Sequence, residues 1–127
     1  MTRESCYTIP AEMPPGTFEI HLRGEIDLAR KPELHQIIAA YARSLAGNVV
    51  VDLGCVTFFD VTGLALLVDL HREARVRGSR LVLRHVPSMP RRVIQVSGMG
   101  HLLPEEPPAP GPRLEGLLAP EPSPGAS

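Results

Sequence analysis

Most of the features by which a sequence announces its chemistry are missing from this 127-residue chain. The formal net charge is only −1, so no overall field gathers nucleic acid or an anionic membrane. Cysteine is nearly absent. Cys6 and Cys55 lack the spacing of a metal-ligand or redox pair and read as buried, reduced thiols of a cytoplasmic protein. Of the 13 basic residues only Lys31 is a lysine, which with abundant Ala, Gly and Pro reads as a codon effect rather than a binding device. No secretory signal is read at the start, and the longest apolar run, near Leu64, falls far short of the ~20 residues that span a bilayer. A soluble protein with no direct membrane insertion is expected.

Catalytic signatures are missing as well. There is no GxxxxGK[ST] phosphate loop, and "GMG" at 98–100 follows a helical pattern rather than a strand. No G-x-S-x-G elbow and no paired-histidine metal motif occurs, and the five histidines lie far apart in sequence, as surface or edge residues do. The chain is therefore read as no enzyme, with no cofactor and no metal.

What is present is hydrophobic patterning. Residues 104–127 carry eight of the fourteen prolines and three glycines, too few backbone donors and too little apolar content to pack, so this stretch is expected to be a disordered tail behind a folded domain at 1–103. Within that domain "CYTI" (6–9) and "TFEIHL" (17–22) read as strands flanking a turn-rich segment. Leu34, Ile37, Ile38, Tyr41, Ala42 and Leu45 recur at helical spacing and predict a helix over 31–46, closed by Gly47-Asn48. "NVVVDL" (48–53) reads as a strand buried on both faces. A helix over 62–77, a strand over 80–84 and a helix over 90–98 that stops at Gly98 complete the chain. Strand–helix alternation implies parallel pairing and an α/β fold with a small mixed sheet.

The stretch "CVTFFDVTGLALLVDLH" (55–71) holds the one conspicuous interruption, where Asp60 and Thr62 break an apolar run. A phospho-aspartate receiver would also place an Asp at a strand's end, but it needs further acids for Mg²⁺ and a later Lys, and neither is found. An Asp just ahead of a helix caps its free N–H groups, a contribution of about 1 kcal/mol. Thr62 then falls at the second helical position and Gly63 at the third, where a poor helix former implies close approach by another element or a partner. At 100° per residue Leu64, Leu67, Val68, His71 and Ala74 form the core stripe. Thr62, Ala65, Leu66, Asp69 and Glu73 then face outward, with Leu66 as an exposed docking residue beside a modifiable hydroxyl.

Three blocks resemble a known family. "VVVDLGCVTFFDVTGLALLVDLHREARVRGSRLVL" (49–83), "LRGEIDLARKPEL" (22–34) and "RRVIQVSGMGHLL" (91–103) are similar, in that order, to the STAS domains of bacterial anti-sigma-factor antagonists. The resemblance implies a mixed sheet of four to five strands with helices packed mainly on one side. It also implies a partner switch. The unphosphorylated antagonist binds an anti-sigma factor, a Ser/Thr kinase with a histidine-kinase-like ATPase fold, and frees its sigma factor. Phosphorylation in an Asp-[Ser/Thr]-[Ser/Thr]-Gly turn ends the binding, and a Ser/Thr phosphatase restores it. In this chain the turn reads Asp60-Val61-Thr62-Gly63, so Thr62 alone can accept phosphate, and Asp27 matches the family's acid after the second strand. On this reading Asp27, Asp60, Thr62, Gly63, Leu66 and Asp69 form the partner surface. The runner-up is a soluble STAS subunit regulating a membrane lipid or anion transport system. A small nucleotide- or ligand-binding sensor is a third class, without a phosphate loop to support it.

Overall fold

Period-two alternation builds the sheet. The computed structural model describes residues 4–106, and in it β2 (Thr17–Ile26) turns Phe18, Ile20, Leu22 and Ile26 inward and Glu19, His21, Arg23 and Glu25 outward. That is the pattern of a sheet covered on one face. The short β1 (Tyr7–Thr8) pairs antiparallel with β2. β3 (Asn48–Phe59) and β4 (Leu81–Arg84) follow in parallel, giving the order β1-β2-β3-β4. The mixed four-stranded sheet is the one expected.

β3 runs well past the predicted 48–53, and the expectation that it is buried on both faces does not hold. Val49, Val51, Leu53, Val56 and Phe59 point into the core, while Val50 on the other face is only half-buried. Asp52 shares that face, where its Oδ1 accepts from the Gly54 N–H at 2.8 Å and its Oδ2 meets His85 Nδ1 at 2.9 Å. The β-branched run records strand propensity, not double burial.

The helices follow from the crossovers. α1 (Lys31–Arg43) leads from β2 to β3, α2 (Val61–Val76) leads from β3 to β4, and α3 (Ser88–Ser97) packs on β3 and α2. Both crossover helices start at the same edge of the sheet, beyond the carboxyl ends of β2 and β3, and run back side by side. Gly98 takes the left-handed conformation (φ +79°) that ends α3 where the sequence predicts. α1, by contrast, stops at Arg43, ahead of Gly47, and Leu45 is fully exposed rather than in the core. The reason is Arg77, just beyond α2. Its guanidinium donates to the carbonyls of Tyr41 (2.8 Å), Ala42 (2.8 Å), Ser44 (3.1 Å) and Ala46 (2.5 Å) and lies 4.3 Å from the centre of the Tyr41 ring. One side chain thus satisfies the carbonyls that a helix end leaves open.

α2 is also turned relative to its predicted face. Gly63, Leu66, Leu67, Val68, Leu70 and Ala74 are buried, whereas Leu64 and His71, predicted in the core stripe, are half-buried at its flank. The mean inward direction differs from the prediction by roughly 70°, about two-thirds of one residue's rotation. The physical cause is position. α2 is the middle helix, touching both α1 and α3 as well as the sheet, so it buries a wider arc than a one-sided helix does.

Both cysteines were expected to be buried, but only Cys6 is. Burial, reinforced by the neighbouring Glu33 carboxylate, pushes its thiol up to about 11. Cys55 lies exposed on β3. The first residues of the predicted tail, 104–106, run along the outer edge of β4. There the Leu83 N–H donates to the Pro104 carbonyl at 2.8 Å and the Glu106 N–H to the Leu83 carbonyl at 2.6 Å. Arg84 pairs with Glu106 and Arg91 with Glu105. The rest of the predicted tail, 107–127, lies outside the described residues.

Candidate functional site

Two strand-to-helix junctions meet at one end of the sheet. Ile26 and Phe59 are register partners at the ends of β2 and β3, which sets Asp27 beside Asp60, and the Asp60 N–H points at the Ile26 carbonyl at 3.4 Å. Each Asp has extended backbone and turns its carboxylate onto the second N–H beyond it. Asp60 Oδ1 accepts from Thr62 N–H at 2.8 Å, and Asp27 Oδ1 from Ala29 N–H at 3.1 Å. The capping role read for Asp60 holds, and Asp27 repeats it at the head of the 3-10 turn Leu28–Arg30 that enters α1.

Gly63 is explained by Phe59. A Cβ on Gly63 would lie 2.4 Å from Phe59 Cε1, so only glycine lets the last aromatic ring of β3 tuck beneath the first turn of α2. The close approach comes from within the domain. Thr62, directly before it, is half-buried, and its hydroxyl has no hydrogen-bond partner among the described residues. Its backbone N–H is held by Asp60, and its side-chain oxygen is left available.

Between the junctions and the first turns of α1 and α2 runs an open groove of about 390 Å³. Val61, Thr62, Ala65, Leu66 and Asp69 form one wall, and Leu28, Lys31, Leu34, His35 and Ile38 the other. Leu66 is the clear correction to the sequence reading. It is 2% exposed, so it forms the floor of the groove and part of the core rather than an outward knob. The exposed apolar residues are instead Leu28 (67%) and Val61 (73%), each the first residue after its capping Asp. The sequence reading passed over both, although their shared position behind an Asp at a strand end was visible. Asp69 sits on the exposed side of the groove with its carboxylate 4.0 Å from Arg72. Of the six residues read as the partner surface, Thr62, Leu66 and Asp69 line the groove, while Asp27, Asp60 and Gly63 shape its end.

The electrostatics differ between the two heads. Behind the first junction Arg30 is buried and donates to Glu33 Oε1 at 2.7 Å, and Glu33 Oε2 accepts from the Cys6 N–H at 3.1 Å. Burial acts to raise the Glu33 carboxyl, but the bonds from Arg30 and Cys6 and the charge of Arg30 outweigh it and hold the carboxyl below its usual range. Among the described residues no such pair stands behind Asp60. Among the described residues no group of acids, histidines and cysteines could hold a metal ion, and no helix is long and apolar enough to cross a membrane. The arrangement offers a shallow apolar groove and one free hydroxyl, a surface for recognition.

Known proteins share both sequence and architecture with this chain. The "Anti-sigma-B factor antagonist" of Staphylococcus aureus is 24% identical over 86 residues, covering 68% of this chain and 80% of that protein. A crystallised anti-sigma factor antagonist from Mycobacterium paratuberculosis superposes with a TM-score of 0.70 at 24% identity, over 86% of this chain and 92% of the other. The anti-sigma factor antagonist SpoIIAA in its unphosphorylated form gives 0.68 at 20% identity, over 87% and 92%. The Bacillus SpoIIAA structure in the phosphorylated form gives 0.63 at 20% identity, over 87% and 96%. The family model described as "Mlab, STAS domain" matches residues 11–104. With three sequence blocks in order, a one-faced mixed sheet and a capped helix start at the end of its third strand, the chain belongs to the STAS domain family.

Proposed function

We propose that this protein is an anti-sigma-factor antagonist that binds its anti-sigma factor, a Ser/Thr kinase, over the groove between α1 and α2. Phosphorylation of Thr62 releases the partner, and a phosphatase resets the switch. The observation that carries the reading is the Thr62 hydroxyl. It stands half-exposed and without a hydrogen-bond partner at the mouth of an apolar-rimmed groove. The similar proteins named above support it, since they are anti-sigma factor antagonists and SpoIIAA has been solved in phosphorylated and unphosphorylated forms.

In this mechanism Leu28 and Val61 give the partner apolar contact at the rim, and Leu66 gives the groove a rigid floor. A phosphate on Thr62 adds about −1.5 to −2 charges at that mouth. The partner must then desolvate a dianion where it had met a hydroxyl. Asp60 and Gly63 act on shape, since one fixes the Thr62 backbone and the other lets the helix start close against Phe59.

The test is calorimetric binding to the purified kinase, with and without ATP. Thr62→Ala removes the acceptor oxygen and should bind and stay bound when ATP is added. Thr62→Glu should bind at least tenfold more weakly, about 1.4 kcal/mol. Mass spectrometry of the wild type after ATP should find the phosphate on Thr62. Phosphate on another residue, or a Glu variant as tight as wild type, would remove Thr62 from the switch. A membrane permease as the captured partner would instead support the transport reading.

A further inference from the structure

We infer that Lys31 and His35 receive the phosphate of phosphothreonine 62, so that the modified side chain closes the groove from within by pairing across it to α1. This deepens the switch proposed above and rests on it. Thr62 and the two basic residues line one groove, Thr62 on the α2 wall and Lys31 and His35 on the α1 wall. Lys31 and His35 are four residues apart on α1, hence one turn apart on the same face. Both are exposed, and no ion pair ties either of them to a carboxylate among the described residues.

Helix stability does not account for Lys31. It is the first residue of α1, where the helix dipole disfavours a cation, and it is the only lysine of the chain. The acids around the groove are already engaged. Asp60 caps α2, Asp27 caps the turn before α1, and Asp69 faces Arg72. An added phosphate therefore finds the free Lys31 charge and the His35 ring as donors on the opposite wall. Thr62, Lys31 and His35 line the same groove of about 390 Å³, and the phosphate's three acceptor oxygens can take both donors. The unmodified groove is open to a partner's side chain. The phosphorylated groove is bridged by its own walls, so the partner loses the cavity as well as meeting a charge.

The experiment uses full-length protein carrying phosphothreonine at position 62 by genetic encoding, which makes it independent of any kinase. A ³¹P NMR titration reads the second phosphate ionisation, ordinarily near pH 6. Cations held beside the phosphate favour the dianion and lower that midpoint, while Asp60 and Asp69 oppose them. In the Lys31→Gln, His35→Gln double variant the midpoint should rise by about half a pH unit or more. The equivalent change at distant cations, Arg80→Gln with Arg92→Gln, should leave it in place. An unchanged midpoint in the Lys31, His35 variant, with its amide spectrum otherwise like wild type, overturns the ion-pair closure. The release of the partner by Thr62 phosphorylation is judged separately, by mass spectrometry and calorimetry, and can hold even when the closure fails. If instead the distant-cation variant moves the midpoint as far, the effect is general charge and the assignment to Lys31 and His35 is overturned.

Discussion

The two strand-to-helix junctions are the same device used for different ends. In each, a strand stops, an Asp in extended conformation caps the coming turn, and an apolar residue follows in the open: Asp27 then Leu28, Asp60 then Val61. They part at the next two residues. After Leu28 come Ala29 and the buried Arg30, whose ion pair with Glu33 also ties down the backbone of Cys6. After Val61 come Thr62, with an unengaged hydroxyl, and Gly63, against which Phe59 packs. The first junction spends its third position on a polar tie to Cys6, just ahead of β1, and the second spends it on apolar closeness. The one that carries a modifiable side chain is the one whose third position is held by packing against Phe59, whereas the first junction's third position is held by the buried Arg30–Glu33 pair.

The sharpest break of the pairing lies beneath the second junction. Leu66→Ala should destabilise by roughly 2–5 kcal/mol, because a buried Leu leaves a cavity, and a urea melt will read it. A loss under about 1 kcal/mol would put Leu66 back on the surface. Arg30→Ala attacks the first junction and should cost about 2 kcal/mol by leaving Glu33 without its cation in a partly buried site. Its pH dependence is diagnostic. In wild type the lowered Glu33 carboxyl contributes stability that is present above its unfolded value near 4.5 and lost as pH falls through the folded value. Without Arg30, burial opposes only the remaining hydrogen bonds from Cys6 and Ser5, so the variant should lose most of this stabilisation above the window. Melts from pH 3 to 7 should therefore show the wild-type advantage growing with pH, and parallel curves would deny Glu33 this role.

Smaller effects refine the comparison. Gly63→Ala should cost about 1–3 kcal/mol by overpacking against Phe59, and adding Phe59→Leu should recover part of the loss. Asp27→Ala and Asp60→Ala should each cost about 1 kcal/mol, and near-equal values are expected if the caps are true counterparts. Least of all, Leu28→Ala with Val61→Ala should change stability by under about 0.5 kcal/mol while weakening partner binding measurably in the same calorimetric assay.

Much of this was legible in the sequence, and the exceptions have definite causes. The Asp60 cap, the Gly98 stop and the strand and helix order follow from local rules that act within a few residues. Gly63 announced a close approach, but only the fold identifies Phe59 as what approaches. The face of α2 was misread because periodicity assumes one buried stripe, while a central helix is covered from both sides. The end of α1 was misplaced because Arg77, more than thirty residues later, supplies the cap. Leu28 and Val61 went unnoticed because an isolated exposed apolar residue carries no signal until a second one stands beside it. Their pairing is a property of the β2–β3 register, which lies beyond local reading.

Arg77 has a mechanical meaning too. By holding the last carbonyls of α1 from a position at the foot of α2, it rivets the two helices together at the end farthest from the groove. α1 is about 20 Å long, so tilting it by about 5° around the rivet moves Leu28 and Val61 apart by about 2 Å while the riveted end barely shifts. A tilt of that size would change the width of the groove mouth while leaving the Arg77 bonds at the far end in place.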